Sequence, residues 1–265
     1  MADLLSVENL TKSFPVRGDL PWIRRQMTAV NTVSLSLQRG CTLGLVGESG
    51  SGKSTLGRCI LGLTKADRGS ITFDGADVLA LSSRGLSEFR RRVQPVFQDP
   101  YSSLDPRWPV GRSVREALDC FRIGTPTNRQ TRVLDLFARV GLNPAFANRL
   151  PNQLSGGQRQ RVAIAAALAS APDLIIADEP VSALDMSVQA QILNLFMDLR
   201  QDLGVASIFI THDLAVVEHI SDHVAVMYRG SIVETGETEQ VMRQPQHDYT
   251  RTLLAAIPRP KQFSH

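Results

Sequence analysis

Along the first forty residues apolar and polar side chains alternate, in Leu5-Ser-Val7-Glu and again in Val33-Ser-Leu35-Ser-Leu37-Gln. A period of two puts successive side chains on opposite faces, so this region reads as half-buried antiparallel sheet. Leu43–Val46 is a short apolar run ended by Gly47, the pattern of a buried strand feeding a loop. A helix is predicted from Lys53 to about Leu63, and a strand near Val93–Phe97. From about residue 111 to residue 170 the period turns helical, with Val133, Leu134, Phe137 and Val140 recurring on one face. Strands and helices then alternate: strand at Leu174–Ala177, helix at Val188–Leu203, strands at Ala206–Ile210 and Val224–Met227. Such alternation implies a parallel sheet covered by helices on both faces, with the helical middle inserted into it.

The 265 residues suffice for one large domain or two small ones, and a 43% hydrophobic content can bury a sizeable core. The net charge of +3 is scattered along the chain, which allows affinity for anions without demanding it. Cys41, Cys59 and Cys120 form no C-x-x-C pair, so no zinc or iron–sulfur site is suggested, and their wide spacing suits reduced thiols. The opening MADLLSVENL lacks the basic-then-apolar pattern of a signal peptide. The most apolar stretch, Val162–Ala177, is broken by Pro172 and Asp173, short of the roughly 18 residues a membrane span needs. The expectation is a chain that does not cross a membrane by itself.

Two motifs carry chemistry. Gly47-Glu48-Ser49-Gly50-Ser51-Gly52-Lys53-Ser54 fits G-x-x-x-x-G-K-[ST], followed by Thr55. Its glycines let successive N–H groups turn toward phosphate oxygens, and the helix that follows adds its positive end. Lys53 is expected on the β- and γ-phosphates and Ser54 on Mg²⁺. The second motif is Leu174-Ile-Ile-Ala-Asp178-Glu179-Pro180, an apolar strand ending in two acids. Phosphoryl transfer needs a metal ligand and a proton acceptor, and these roles go to Asp178 and Glu179.

Leu154-Ser155-Gly156-Gly157-Gln158 lies between the two motifs and opens a helix, forming a second anion site. This order and spacing resemble the ABC ATPase family, in which the signature of one subunit caps the ATP of the other. Gln98 resembles the family's Q-loop residue, adjoining the Mg²⁺, and Ser182-Ala-Leu-Asp185 its D-loop, with Asp185 at the nucleotide. His212 resembles the switch histidine, and Phe14 stands where the family places an adenine-stacking aromatic, though burial in the core is the other reading of a phenylalanine.

The resemblance implies an α/β nucleotide-binding domain: a RecA-like P-loop core (1–100 and 165–235), an antiparallel β subdomain, an inserted helical subdomain (101–164) and a C-terminal extension (236–265). It also implies ATP and Mg²⁺ as cofactors, with Glu179, His212 and Gln98 as catalytic residues.

A narrower resemblance is to the ATPases of oligopeptide, dipeptide and nickel importers, carried by Val96-Phe97-Gln98-Asp99-Pro100-Tyr101-Ser102-Ser103-Leu104-Asp105-Pro106-Arg107 and the tail Pro245-Gln-His247-Asp-Tyr249-Thr250. It implies a second ATPase subunit as heterodimer partner, two permease subunits, an external solute-binding protein, and a peripheral place on the cytoplasmic face of the plasma membrane. The absence of tail cysteines and the extra segment Arg17–Met27 look like the second of the two ATPase types. A soluble ABC ATPase acting on nucleic acid fits less well, because such chains carry two cassettes, coiled coils or zinc modules. Asp248 replaces the usual Pro, and Ala166 the usual Arg after the signature. Pro100 and Pro106 are expected to keep Gln98–Arg107 an irregular loop, with Tyr101 and Leu104 offering apolar contact to a permease helix. For Trp22-Ile23-Arg24-Arg25, contact with lipid headgroups and a solvated loop over the first sheet are both open, arginine's usual exposure favouring the loop.

Overall fold

The computed structural model describes residues 3–17 and 24–256. Strands β1 (Leu5–Arg17) and β2 (Arg24–Leu37) pair antiparallel, and the alternating apolar residues Leu5, Val7, Leu10, Val30, Val33 and Leu37 are buried. β3 (Thr42–Val46) is buried along its whole length and leads into α1 (Lys53–Ile60). The helix ends earlier than its apolar pattern suggests because Gly62 takes φ 67°, a left-handed turn that glycine adopts freely at helix ends. β4 (Arg68–Phe73) and β5 (Ala76–Asp77) complete a four-stranded sheet in the order β2-β1-β4-β5.

α2 (Ser83–Arg92) precedes β6 (Val93–Val96). Next come α3 (Pro100–Ser103), α4 (Val110–Cys120), α5 (Pro126–Arg139) and α6 (Gly156–Leu168). The last part alternates: β7 (Leu174–Asp178), α7 (Met186–Leu203), β8 (Ala206–Thr211), α8 (Leu214–Ile220), β9 (His223–Tyr228), β10 (Ser231–Glu237), α9 (Thr238–Arg243) and α10 (Asp248–Ala255). The large sheet has the order β10-β9-β3-β8-β7-β6, parallel except for β10.

One apolar cluster joins the antiparallel sheet to α1 and the large sheet, through Leu5, Val7, Leu56, Ile60 and Ile208. A second joins α4, α5 and α6 to α7 and the sheet, through Val114, Phe137, Ile164 and the edge-on pair Phe196–Phe209, whose ring centroids are 5.4 Å apart. A third seats α9 and α10 on β3 and β9 through Val46, Val226, Val241 and Leu254.

Three expectations change. Gln98–Arg107 is not wholly irregular: Pro100 opens the one-turn α3, and the Tyr101 amide donates to Asp99 Oδ1 at 2.9 Å. Proline is at home in a first helical position, where its missing N–H is not needed. Leu104 is only 4% exposed and belongs to the helical core, so it offers nothing to a partner, whereas Tyr101 is 48% exposed. Arg24 and Arg25 lie in β2, opposite Arg17 and Val16, and not in a loop; Trp22 and Ile23 lie outside the described residues.

Candidate functional site

The loop between β3 and α1 is held from two sides. Gly52 has φ 107°, and a β-carbon there would lie 2.0 Å from the Ala29 carbonyl oxygen of β2, so no other residue fits. The Gly230 amide, in the turn between β9 and β10, donates to the Ser51 carbonyl at 2.9 Å, and its own carbonyl accepts from the Asn31 amide at 2.7 Å. Gly47 closes β3 and Ser51 is buried, whereas Glu48, Ser49 and Gly50 are exposed. α1 begins at Lys53 with no side-chain cap, so the first N–H groups of Lys53, Ser54 and Thr55 and the positive helix end serve the loop.

Lys53 is buried, and its Nζ donates to the carbonyl oxygens of Gly47 at 2.7 Å and Glu48 at 2.8 Å. Burial pulls its pKa below the ordinary 10.5, against the opposing pull of the Glu179, Asp178 and Glu48 carboxylates. A desolvated ammonium beside amide donors gains most from an approaching polyanion.

At the end of β7 the Ser54 hydroxyl donates to Asp178 Oδ1 at 2.9 Å. Burial raises the Asp178 pKa more than this hydrogen bond lowers it, and the neighbouring Glu179 charge adds to the rise. Glu179 takes φ 47°, a left-handed backbone uncommon outside glycine. The turn is pinned by its amide, which donates to the Ile210 carbonyl at 2.9 Å, and by its carbonyl, which accepts from Ser182 Oγ at 3.1 Å. Gln98 Nε2 lies 3.3 Å and His212 Nδ1 3.4 Å from the same Glu179 Oε2. Gln98 also donates to Ser182 Oγ at 3.1 Å. The carboxyl ends of the parallel strands β6, β7 and β8 thus bring Gln98, Asp178–Glu179 and His212 together beside the loop, where open α/β sheets bind ligands.

Phe14 is half-buried on β1, opposite Met27 and one rung from Thr28, whose neighbour Ala29 meets Gly52. Lys12 Nζ stands 5.3 Å from its ring centroid.

A second group of expected residues sits at two other helix ends. Ser155 caps α6: its Oγ accepts from the Gln158 amide at 3.2 Å, and its own amide donates to Gln158 Oε1 at 3.0 Å. Asp185 caps α7, accepting from the Val188 amide at 2.9 Å and Ser187 Oγ at 2.8 Å. Gly156 lies beside Leu184, and a β-carbon on Gly157 would lie 2.5 Å from Val188 Cγ1, so α6 and α7 start in contact. Among the described residues no hydrogen bond joins Ser155–Gln158 to Gly47–Thr55.

Sequence reasoning missed two polar partners. Ser182, within Ser182-Ala-Leu-Asp185, carries no sequence signal of its own, and it holds Gln98. Tyr249, far along the chain, accepts the Glu48 amide at 3.0 Å. No periodicity signals either contact; only the tail motif around His247 and Tyr249 marks the second.

A strand–loop–helix of this shape, with a hydroxyl–carboxylate pair at its mouth, belongs to the nucleotide-binding P-loop class. Comparison with known proteins narrows the class. A family model described as ABC transporter matches residues 30–182, and one described as oligopeptide/dipeptide transporter, C-terminal region, matches residues 233–265. The chain is 52% identical over 256 residues to the glutathione import ATP-binding protein GsiA of Pectobacterium atrosepticum, which covers 96% of this chain and 41% of that protein. It is 50% identical over 260 residues to the probable peptide ABC transporter ATP-binding protein y4tS of Sinorhizobium fredii, covering 97% of this chain and 73% of that protein.

Among solved structures, the dimeric post-hydrolysis ATP-binding cassette MJ0796 bound to ADP and Pi is similar at TM-score 0.78 and 31% identity, covering 88% of this chain and 98% of that one. The cbiO1 structure from Clostridium perfringens, described as part of the ABC transporter complex cbiONQ, is similar at TM-score 0.78 and 28% identity, covering 92% of each chain. The chain belongs to the ABC transporter family, as an ABC ATPase cassette with the C-terminal region of the oligopeptide/dipeptide transporters. It spans less than half the length of the glutathione import protein that it matches.

Proposed function

We propose that this chain binds and hydrolyses MgATP as one ATPase subunit of a peptide importer. The observation that carries this reading is the convergence of Gln98 and His212 on Glu179, beside the Ser54–Asp178 pair. A hydroxyl and a carboxylate 2.9 Å apart are hard oxygen donors suited to Mg²⁺, and a carboxylate whose pKa burial has raised gains from a nearby cation. Gln98 completes the proposed metal side. A Mg²⁺ held there would supply charge neutralisation to the phosphates of ATP.

Lys53 and the amides of Gly50–Thr55 hold phosphate oxygens. Glu179 accepts the proton of the attacking water, and its pinned turn fixes where that carboxylate stands. His212, sharing Glu179 Oε2 with Gln98, orients the base and answers to the γ-phosphate. Phe14 stacks on the adenine. Ser155, Gly156, Gly157, Gln158 and Asp185 act on the nucleotide of a second ATPase subunit.

The proposed domains are a nucleotide-binding core at 1–100 and 165–235, a helical subdomain at 101–164 and a C-terminal extension at 236–265. The remaining partners are two permease subunits and an external solute-binding protein, with the chain peripheral on the cytoplasmic face and no nucleic acid involved. Peptide cargo is supported by the tail region and by the names of the relatives; nickel, a metal–chelator complex or another small solute is the second choice.

The test is Glu179→Gln in the complex with its partner ATPase and permeases. MgATP binding is expected to persist, and hydrolysis at this site to fall about 10²–10⁴-fold, the usual loss with a general base. Near-normal turnover in a complex whose partner site is also disabled rejects the assignment.

A further inference from the structure

The C-terminal extension reaches the phosphate loop. α10 opens at Asp248, and the His247 ring caps it, Nδ1 accepting from the Tyr249 amide at 3.1 Å. The segment before it is anchored to β10 by Glu234, whose two carboxylate oxygens accept from the Gln246 amide at 2.7 Å and the His247 amide at 3.0 Å. From this anchored start the Tyr249 ring lies on the Tyr228 ring, centroids 4.1 Å apart, and the Tyr249 hydroxyl accepts the Glu48 amide at 3.0 Å. Glu48 is exposed, and its amide donates to Tyr249, while the Gly47 carbonyl of the same peptide accepts from Lys53 Nζ; a trans peptide points its N–H and C=O in opposite directions, so Tyr249 and Lys53 grip this peptide from opposite sides.

We propose that Tyr249 is a positioning residue of the nucleotide site: its hydroxyl fixes the Gly47–Glu48 peptide from outside, so that the following amides face the phosphates before nucleotide arrives. The inference rests on reading the loop as the phosphate site. The physical argument is one of pre-organisation. Gly47, Gly50 and Gly52 give the loop conformational freedom, and ordering it on binding costs affinity. The Gly230 amide holds the loop at Ser51, and Tyr249 holds it at Glu48, so both are braces on one glycine-rich turn. The tail motif His247-x-Tyr249 thereby acquires a local role: one residue caps the helix and the other touches the loop.

Tyr249→Phe keeps the ring on Tyr228 and deletes the hydroxyl. In the full chain, MgATP affinity is expected to fall about two- to tenfold, the range of one ordinary hydrogen bond. Amide exchange at Glu48 without nucleotide is expected to quicken, with the unliganded melting temperature nearly unchanged. Unaltered affinity and unaltered Glu48 exchange overturn the proposal. So does a lowered melting temperature with Glu48 exchange unchanged, because packing alone has then been lost. If the variant does not fold, exchange in the unliganded parent chain decides: a protected Glu48 amide supports the brace, and one exchanging as fast as an open loop overturns it. Lys53→Ala separates the two levels. If it leaves ATP affinity intact, the phosphate-site reading fails, and otherwise the Tyr249 result stands on its own.

Discussion

Lys53 and Asp178 carry opposite charges, yet burial sets the direction of both pKa shifts, down for the ammonium and up for the carboxyl. For each, an opposite charge brought close favours the charged form, which is what the proposed binding of phosphate and metal would supply. The same physics acts without function at Cys59, on the face of α1 that packs into the core: burial pushes its thiol from the ordinary 9.0 to about 11. The unfolded thiol therefore loses its proton first as pH rises. The stabilisation from Cys59 is complete below pH 9.0 and is lost as pH climbs toward about 11. Denaturant unfolding at pH 8 and at pH 10.5 should show a fall in stability that Cys59→Ala reduces. With iodoacetamide at pH 8 and mass spectrometry, exposed Cys120 should be modified while Cys59 waits for unfolding. Equal labelling of both would contradict the burial.

Among the elements, α3 and α10 show how single residues set short helices. Asp99 caps α3 with Pro100 in the first helical position, and Asp248 stands in the first position of α10, where it pairs with Arg251 at 2.9 Å. An acid there does what the family's usual proline does, favouring the helix start, here through the dipole. α3 also separates two residues that lie close in sequence. Tyr101 faces outward with the Arg159 guanidinium 5.6 Å from its ring centroid, whereas Leu104 turns into the cluster of Val110 and Val114. Tyr101→Ala should leave the isolated chain's ATPase and melting temperature nearly unchanged and lower transport per ATP in the reconstituted importer. Leu104→Ala should instead cost about 2–5 kcal/mol of stability, as buried leucine truncations do. Parallel melting and transport assays distinguish the two. A stable Leu104→Ala chain, or a Tyr101→Ala importer with unchanged coupling, contradicts this division.

For the whole molecule, one group of site residues lies at the start of α1 and the end of β7, and the other at the starts of α6 and α7. Ser155 and Asp185 spend their side chains on capping α6 and α7, while Lys53, Ser54, Asp178 and Glu179 form the other group. The arrangement suits a signature acting on a second subunit's nucleotide. Ser155→Glu should retain this chain's own MgATP affinity and sharply reduce hydrolysis once paired. Mixing Ser155→Glu with Glu179→Gln chains of either subunit type maps which site each variant disables. If Ser155→Glu loses nucleotide affinity as fully as Lys53→Ala, the signature acts within its own chain.

The phosphate loop, the acid pair and the parallel alternation were legible in the sequence because each is local. A glycine spacing, an apolar run and a period reflect backbone rules that neighbours along the chain obey. Less legible were α2, whose one buried side chain is Phe89, β4, whose alternation is confined to Ser70-Ile71-Thr72-Phe73, and β10, which carries no clean alternation. Tertiary structure alone decided that Leu104 is core, that Ser182 holds Gln98, and that Tyr249 meets Glu48, 201 positions away. Such contacts depend on which strand ends and helix ends the fold brings together, and no short-range pattern encodes that meeting.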